Sequence, residues 1–248
     1  MNSITARLPL VLKWLEAERP DVLCLQETKC VDEKFPVAAF DELGYRSETY
    51  GQRTYNGVAI ISRTEIEDAE HGFPDDEEGS QARLLSATVK GVRLVNVYIP
   101  NGAFVGSDKY AFKLKWMRRL RALFDERYEK SQQVLLCGDF NVAPEERDVH
   151  DPDLWEGHVL FSKREREALA KIREWGFNDA FRMHSEEGEN FSWWDYRQGA
   201  FRRNAGLRID HIWVSEPLAE RCIGCWIDKE PRTWERPSDH TPVVAKFK

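Results

Sequence analysis

The apolar positions of this chain follow two periods. Over 7–18, Leu8, Val11, Leu12 and Leu15 recur every three or four residues, which predicts a helix with one buried stripe, ended by Arg19-Pro20. The run DVLCLQ at 21–26 lacks that spacing and predicts a buried strand. Further short apolar runs, at 57–62, 84–89, 92–98, 134–138, 209–214 and 243–247, are mostly bounded by turn residues and predict strands. Between them the helical period returns twice. Residues 109–129 set Leu114, Met117, Leu120 and Phe124 on one face, and 162–175 do the same with Leu169, Ile172 and Trp175. Strands interleaved with helices, some strands adjacent enough for hairpins, predict a layered α/β sandwich of two mixed β-sheets covered by helices. No repeat, low-complexity tract or linker interrupts the chain, so 1–248 is expected to be one domain.

Charge narrows the choice of partners. With 36 basic and 43 acidic residues the net charge is −7, so a polyanion must be met by a local basic patch. Residues 197–208 (RQGAFRRNAGLR) offer one, with four arginines and no acid. A second cluster, Lys113, Lys115, Arg118, Arg119 and Arg121, lies on a predicted helix and reads as a solvated face. Of the five cysteines, Cys24 and Cys137 sit in apolar runs as small hydrophobes, and Cys222-x-x-Cys225 lacks the second pair that a zinc site needs. This usage suits a reducing compartment. No apolar run approaches the ~20 residues of a membrane span and no signal pattern opens the chain, so a cytoplasmic protein without membrane contact is expected.

Polar residues at strand ends are the candidates for chemistry, because a rigid scaffold holds them open to a ligand. Glu27 follows the first predicted strand and can serve as a hard oxygen ligand for Mg²⁺, or merely pair with Lys29 at the surface. Asp139 and Asn141 end an apolar strand and, two apart, point to one side. Asp210 opens another strand. Asp239-His240 precedes the last one, and with Asp210 as orienting carboxylate His240 has the ingredients of an acid/base unit. Spacing within single elements does not show that these places meet.

Taken together, LQETK, NGVAIIS, VYIPNG, GDFNVAP, FSWWDYR, GLRIDHIWVS and RPSDHTPV resemble the exonuclease III family of DNA-repair enzymes, within the wider endonuclease/exonuclease/phosphatase superfamily. The match runs in the family's order over essentially the whole chain. The resemblance implies a Mg²⁺- or Mn²⁺-dependent phosphodiesterase, acting as a monomer on double-stranded DNA, that incises 5′ to abasic sites and degrades 3′ ends. It makes Glu27 the metal-binding carboxylate, with Asp239 beside the metal. Asp139 would position or deprotonate the attacking water and Asn141 would hold the scissile phosphate. Asp210 would orient His240, which is either a charged donor to phosphate or a general acid/base. Tyr98 would donate to the developing charge, with Asn101 as a further donor. Trp193, Leu207 and Ile209 match the apolar positions that receive a flipped-out abasic sugar, and Arg197 stands beside them. Trp194 reads equally as core.

One departure stands out. Family members open with a strand ending in a turn whose first Asn helps bind the metal, whereas here only Asn2-Ser3 matches the end of that turn. The expectation is a chain lacking the strand, with a weaker metal site and lower stability, whose natural form carries roughly eight more residues. Two rivals follow: a phosphodiesterase or phosphatase for a non-DNA ester, and a DNA-binding member with an impaired metal site.

Overall fold

A computed structural model describes residues 1–248. The strands are β1 (Val22–Gln26), β2 (Arg46–Tyr50), β3 (Val58–Ser62), β4 (Glu67–His71), β5 (Leu84–Val89), β6 (Val92–Tyr98), β7 (Val134–Asp139), β8 (Phe177–Asp179), β9 (Asp210–Ser215), β10 (Cys222–Ile227) and β11 (Val243–Phe247). The helices are α1 (Ile4–Glu18), α2 (Val37–Asp41), α3 (Asp108–Arg127), α4 (Pro152–Trp155), α5 (Lys163–Arg173) and α6 (Glu216–Ala219). The long helices have local reasons to start where they do. The Ser107 hydroxyl accepts the Tyr110 amide at the head of α3, and Ser162 with Glu165 forms a reciprocal capping box on α5.

One layer is a six-stranded sheet in the order β4-β5-β6-β7-β9-β8. Only β6 and β7 run parallel; the other neighbours are antiparallel. The apolar stripes of α3 and α5, including Met117, Leu120, Phe124 and Ile172, close over Val95, Val97 and Leu136 of this sheet in the largest core. The other face meets β3, where Val58 and Ile60 pack on Leu85, Ala87 and Leu94. Asn96 fastens the two layers from inside: its buried amide donates to Leu25 O and Ala59 O at 3.0 Å, and its carbonyl accepts from Gln26 at 2.7 Å.

The fold is the expected layered α/β sandwich, but its second layer differs from a mixed sheet. It consists of the antiparallel sheet β1-β3-β2, covered by α1 and α2, and a separate antiparallel pair β10-β11. The facing edges of β1 and β11 are unpaired. A groove of about 890 Å³ lies between them, floored by Leu94, Leu135 and Cys137. This is why DVLCLQ is not the fully buried strand its apolar run predicts: Val22, Leu23 and Cys24 stay half-buried along the open edge.

The topology brings polar strand ends together. Tyr98 and Asp139 are register partners at the carboxyl ends of the parallel pair, and Asp210, opening antiparallel β9, lies opposite Asp139. Gly138 permits this closeness, since it adopts φ +134° and a Cβ there would stand 2.0 Å from Val97 O.

Candidate active site

Asp139 is buried at the end of β7, and the chain turns sharply after it through Asn141, whose φ is +51°. That left-handed turn folds Asn141 back onto Asp139. The Asn141 backbone amide donates to Asp139 Oδ1 at 2.9 Å, and its side-chain amide donates to Asp139 Oδ2 at 3.2 Å and to Ile99 O at 2.9 Å. Asn141 Oδ1 in turn accepts from Asn101 at 3.1 Å. Asn141 therefore spends its donors on Asp139 and Ile99 O, and would meet a phosphate only by exchanging one of them.

Opposite stands His240. Its Nδ1 lies 2.9 Å from Asp210 Oδ2 and its Nε2 3.8 Å from Asp139 Oδ2. Burial works against the imidazolium, but the Asp210 and Asp139 carboxylates outweigh it and raise His240 to about 9, so the ring is a charged donor at neutral pH. Asp139 is raised as well, which in a carboxylate favours the neutral form. Burial lifts it and Asp210 adds to the lift against the charge of His240, leaving it at about 7. A base near neutrality faces an acid that is charged there.

Around this pair lie further carboxylates. Glu27 follows β1 with φ +59° and pairs with Lys29 at 3.2 Å. Burial holds the Tyr98 hydroxyl far above the ordinary phenol range, reinforced by the Asp139 and Glu27 charges, so Tyr98 is a permanent O–H donor; Arg83 stacks 4.7 Å over its ring. Asp239 accepts from Trp193 Nε1 at 3.2 Å and from the Tyr196 hydroxyl at 3.3 Å. Burial raises Asp239, yet His240 and the amino-terminal ammonium of Met1 bring it below the usual carboxylate range, so it stays ionised.

A divalent metal fits this donor set. Carboxylate oxygens crowd the site and no thiolate joins them, the hard-oxygen chemistry that such a cation prefers. Ligand atoms of Asp139, Asp210 and His240 converge within 4.8 Å. His240 is nevertheless a poor ligand, because its Nδ1 is committed to Asp210 and the ring is protonated. Oxygen donors, with Glu27 and Asp239 among them, suit the ion better.

The apolar and basic candidates divide. Trp193 is half-buried and hangs over Asp239, while Arg197 is exposed, its side chain 87% accessible. Leu207 and Ile209 are fully covered, packed with Ala143, Val149 and Phe161. They form the floor beneath Trp193 and offer no free surface to a sugar, which corrects the expectation that all three line a pocket. Trp194 is core, and Arg208 is internal, so the basic segment presents only Arg197, Arg202 and Arg203 outward. Ser192, the serine of FSWW, is a residue that motif reading passed over. Its hydroxyl donates to Asp210 Oδ2 at 2.6 Å and accepts the amides of Ile209 and Asp210. Lys113, expected with Lys115, Arg118, Arg119 and Arg121 on a solvated helix face, is instead wholly buried behind both asparagines, which corrects that reading for this residue.

Acyl transfer would need a hydroxyl or thiol nucleophile beside the base, but the Ser192 hydroxyl is turned into Asp210 and the Tyr98 phenol is held protonated. A neutral-range carboxylate, a charged imidazole and spare carboxylates for a cation instead define a metal-assisted hydrolase of charged esters. The sequence model of the endonuclease/exonuclease/phosphatase family matches residues 4–240, and the chain belongs to that family. It is 35% identical to exodeoxyribonuclease III of Haemophilus influenzae over 260 residues, covering 100% of this chain and 97% of that protein. An AP endonuclease from Archaeoglobus fulgidus superposes with a TM-score of 0.96 at 43% identity, over 99% of this chain and 96% of that one. A Neisseria 3′ phosphatase bound to a product DNA hairpin gives 0.95 at 41%, over 100% and 96%. The resemblance read from the motifs is thus borne out, and with it the expectation of a nuclease-family hydrolase. No helix is long and apolar enough to cross a membrane, and all five cysteines are free.

Proposed function

We propose that this chain is a divalent-metal-dependent DNA phosphodiesterase of base-excision repair, incising double-stranded DNA 5′ to abasic sites and removing nucleotides from 3′ ends. The observation that carries the reading is the facing pair Asp139 and His240, 3.8 Å apart, a base at about 7 opposite an acid at about 9. Glu27 and Asp239 would hold a divalent cation such as Mg²⁺ or Mn²⁺, which when bound would supply Lewis-acid activation and charge neutralisation at the phosphate. Asp139 accepts the proton of the attacking water, and Asn141 keeps its carboxylate aimed. His240, steered by Asp210 and Ser192, donates to a phosphate oxygen, while Tyr98 adds an O–H where charge develops. Trp193, Arg197, Arg202 and Arg203 contact the duplex near the lesion. The DNA-bound 3′ phosphatase among the relatives favours phosphate removal at 3′ ends by the same site. The enzyme works as a monomer in the reducing cytoplasm, a setting supported by its five free thiols.

The test is a gel assay on a duplex with one abasic-site analogue, with Mg²⁺ and with chelator, beside Asp139→Asn. Incision 5′ to the lesion should require metal and fall by about 10²-fold or more in the variant. Metal-independent binding without cleavage would point to an impaired DNA-binding member, and release of phosphate from non-DNA esters alone to a different substrate.

A further inference from the structure

The most deeply buried charge near the site belongs to a group that the proposed chemistry does not use. Lys113, on α3, is wholly inaccessible, and so is its partner Glu165 on α5. The ammonium has three hydrogens and finds three acceptors: Asn141 O at 2.6 Å, Asn101 O at 3.1 Å and Glu165 Oε1 at 2.5 Å. Glu165 is itself anchored, accepting the Leu160 and Ser162 amides at 3.1 Å within the cap of α5. The stem of Lys113 also fills the space beneath Gly102, where a Cβ would stand 3.1 Å from its Cδ. One side chain thus ties together the loop after β6, the turn after β7 and two helices.

A buried ion pair is weak evidence of stabilisation, because desolvation offsets the attraction. What this pair does is geometric. Asn141 occupies a left-handed backbone conformation, tolerated by Asn but unfavourable, and it is this turn that aims its amides at Asp139. The turn directs Asn141 O inward, where Lys113 alone among the side chains meets it with a charge-assisted hydrogen bond. From the same nitrogen Lys113 holds Asn101 O, and so fixes the Asn101 to Asn141 side-chain bond from behind.

We propose that Lys113 is a positioning residue of the active site, clamping the backbones of Asn101 and Asn141 so that Asn141 holds Asp139 in line for its base role. The proposal rests on the phosphodiesterase reading for its kinetic consequence, though not for its geometric one. The test pairs Lys113→Met with the double variant Lys113→Met/Glu165→Gln, which leaves no orphaned carboxylate and keeps an acceptor for the cap of α5.

Both variants, assayed below their own melting transitions, should show kcat reduced on the order of 10- to 100-fold with KM changed less than about threefold. The double variant should recover melting temperature but not kcat. Wild-type kcat in either variant would overturn the proposal, and so would failure of both to fold, which would make the pair purely structural. A second readout needs no turnover: the side-chain amide NMR signals of Asn101 and Asn141 should shift or broaden in the folded variants, and unchanged signals would overturn the clamp. Shifted signals alongside a wild-type chain that cleaves nothing would count against the phosphodiesterase reading and leave the clamp supported.

Discussion

At His240, burial is set against three carboxylates, Asp210, Asp139 and Asp239, and the carboxylates prevail. The sign follows. A histidine raised to about 9 is charged throughout the neutral range, so a reaction that needs its donated proton loses rate as pH rises through that value. Asp210 is the largest of the raising influences. Asp210→Asn should therefore lower kcat and move the basic limb of the kcat/KM profile to lower pH, by about one unit or more. A limb that stays in place would assign it to another group. Ser192 belongs to the same account, because its hydroxyl fixes the Asp210 oxygen that His240 uses.

Elements meet beneath the site through Arg208. Its guanidinium joins Asp148 at 2.6 Å, Asp179 of β8 at 2.9 Å and His211 Nδ1 of β9 at 3.0 Å. Because Arg208 donates to Nδ1, His211 must carry its proton on Nε2, which points at Val142 O, 3.1 Å away. Burial, and then the charge of Arg208, depress His211 to about 4, so the fold holds it neutral. An unfolded chain protonates this histidine near 6.5. Its contribution to stability is intact above about 6.5 and is lost as pH falls from there towards 4, by as much as about 3 kcal/mol. Urea unfolding at pH 7 and pH 5 should show a smaller loss in His211→Gln than in the wild-type chain. Equal losses would place the acid sensitivity elsewhere. The ordering of Trp193 belongs to this scale too, since its bridge to Leu207 continues the strand that Arg208 anchors.

On the scale of the whole molecule, the groove between β1 and β11 is the chief irregularity of an otherwise paired fold. Two free strand edges face each other above an apolar floor, an arrangement that accepts an extended segment by backbone hydrogen bonding. The site lies at its end, with Asp210 and His240 among the lining residues. A strand there would contribute several backbone hydrogen bonds at ~0.5–1.5 kcal/mol each. A peptide of about six residues with alternating apolar side chains, supplied in excess, should add to these edges, raise the melting temperature by about 5 °C or more and change the Mg²⁺ dependence of activity. Identical melting and identical Mg²⁺ titrations would show that the groove takes no strand.

Much of this was legible in the chain because its causes are local. The stripes of α3 and α5 and the apolar runs of β5, β6, β7, β9 and β11 announce themselves through periodicity, and Glu27, Asp139, Asp210 and His240 stand out as polar groups at strand ends. β2 (RSETY) and β4 (EDAEH) have no such signal: every residue of β4 is exposed, and pairing with β5 alone makes it a strand. β10 escapes because the register shift between Cys222 and Gly224 breaks its alternation. Composition alone also leaves Leu207 and Ile209 undecided between pocket and core, since both uses require an apolar side chain. Residue chemistry and spacing are properties of neighbours along the chain, so they determined the long helices, the apolar strands, the family and the reactive groups. Burial, protonation and clamping depend on groups far apart in sequence, such as Lys113 with Glu165 and Ser192 with Asp210, and only the packed layers decided those.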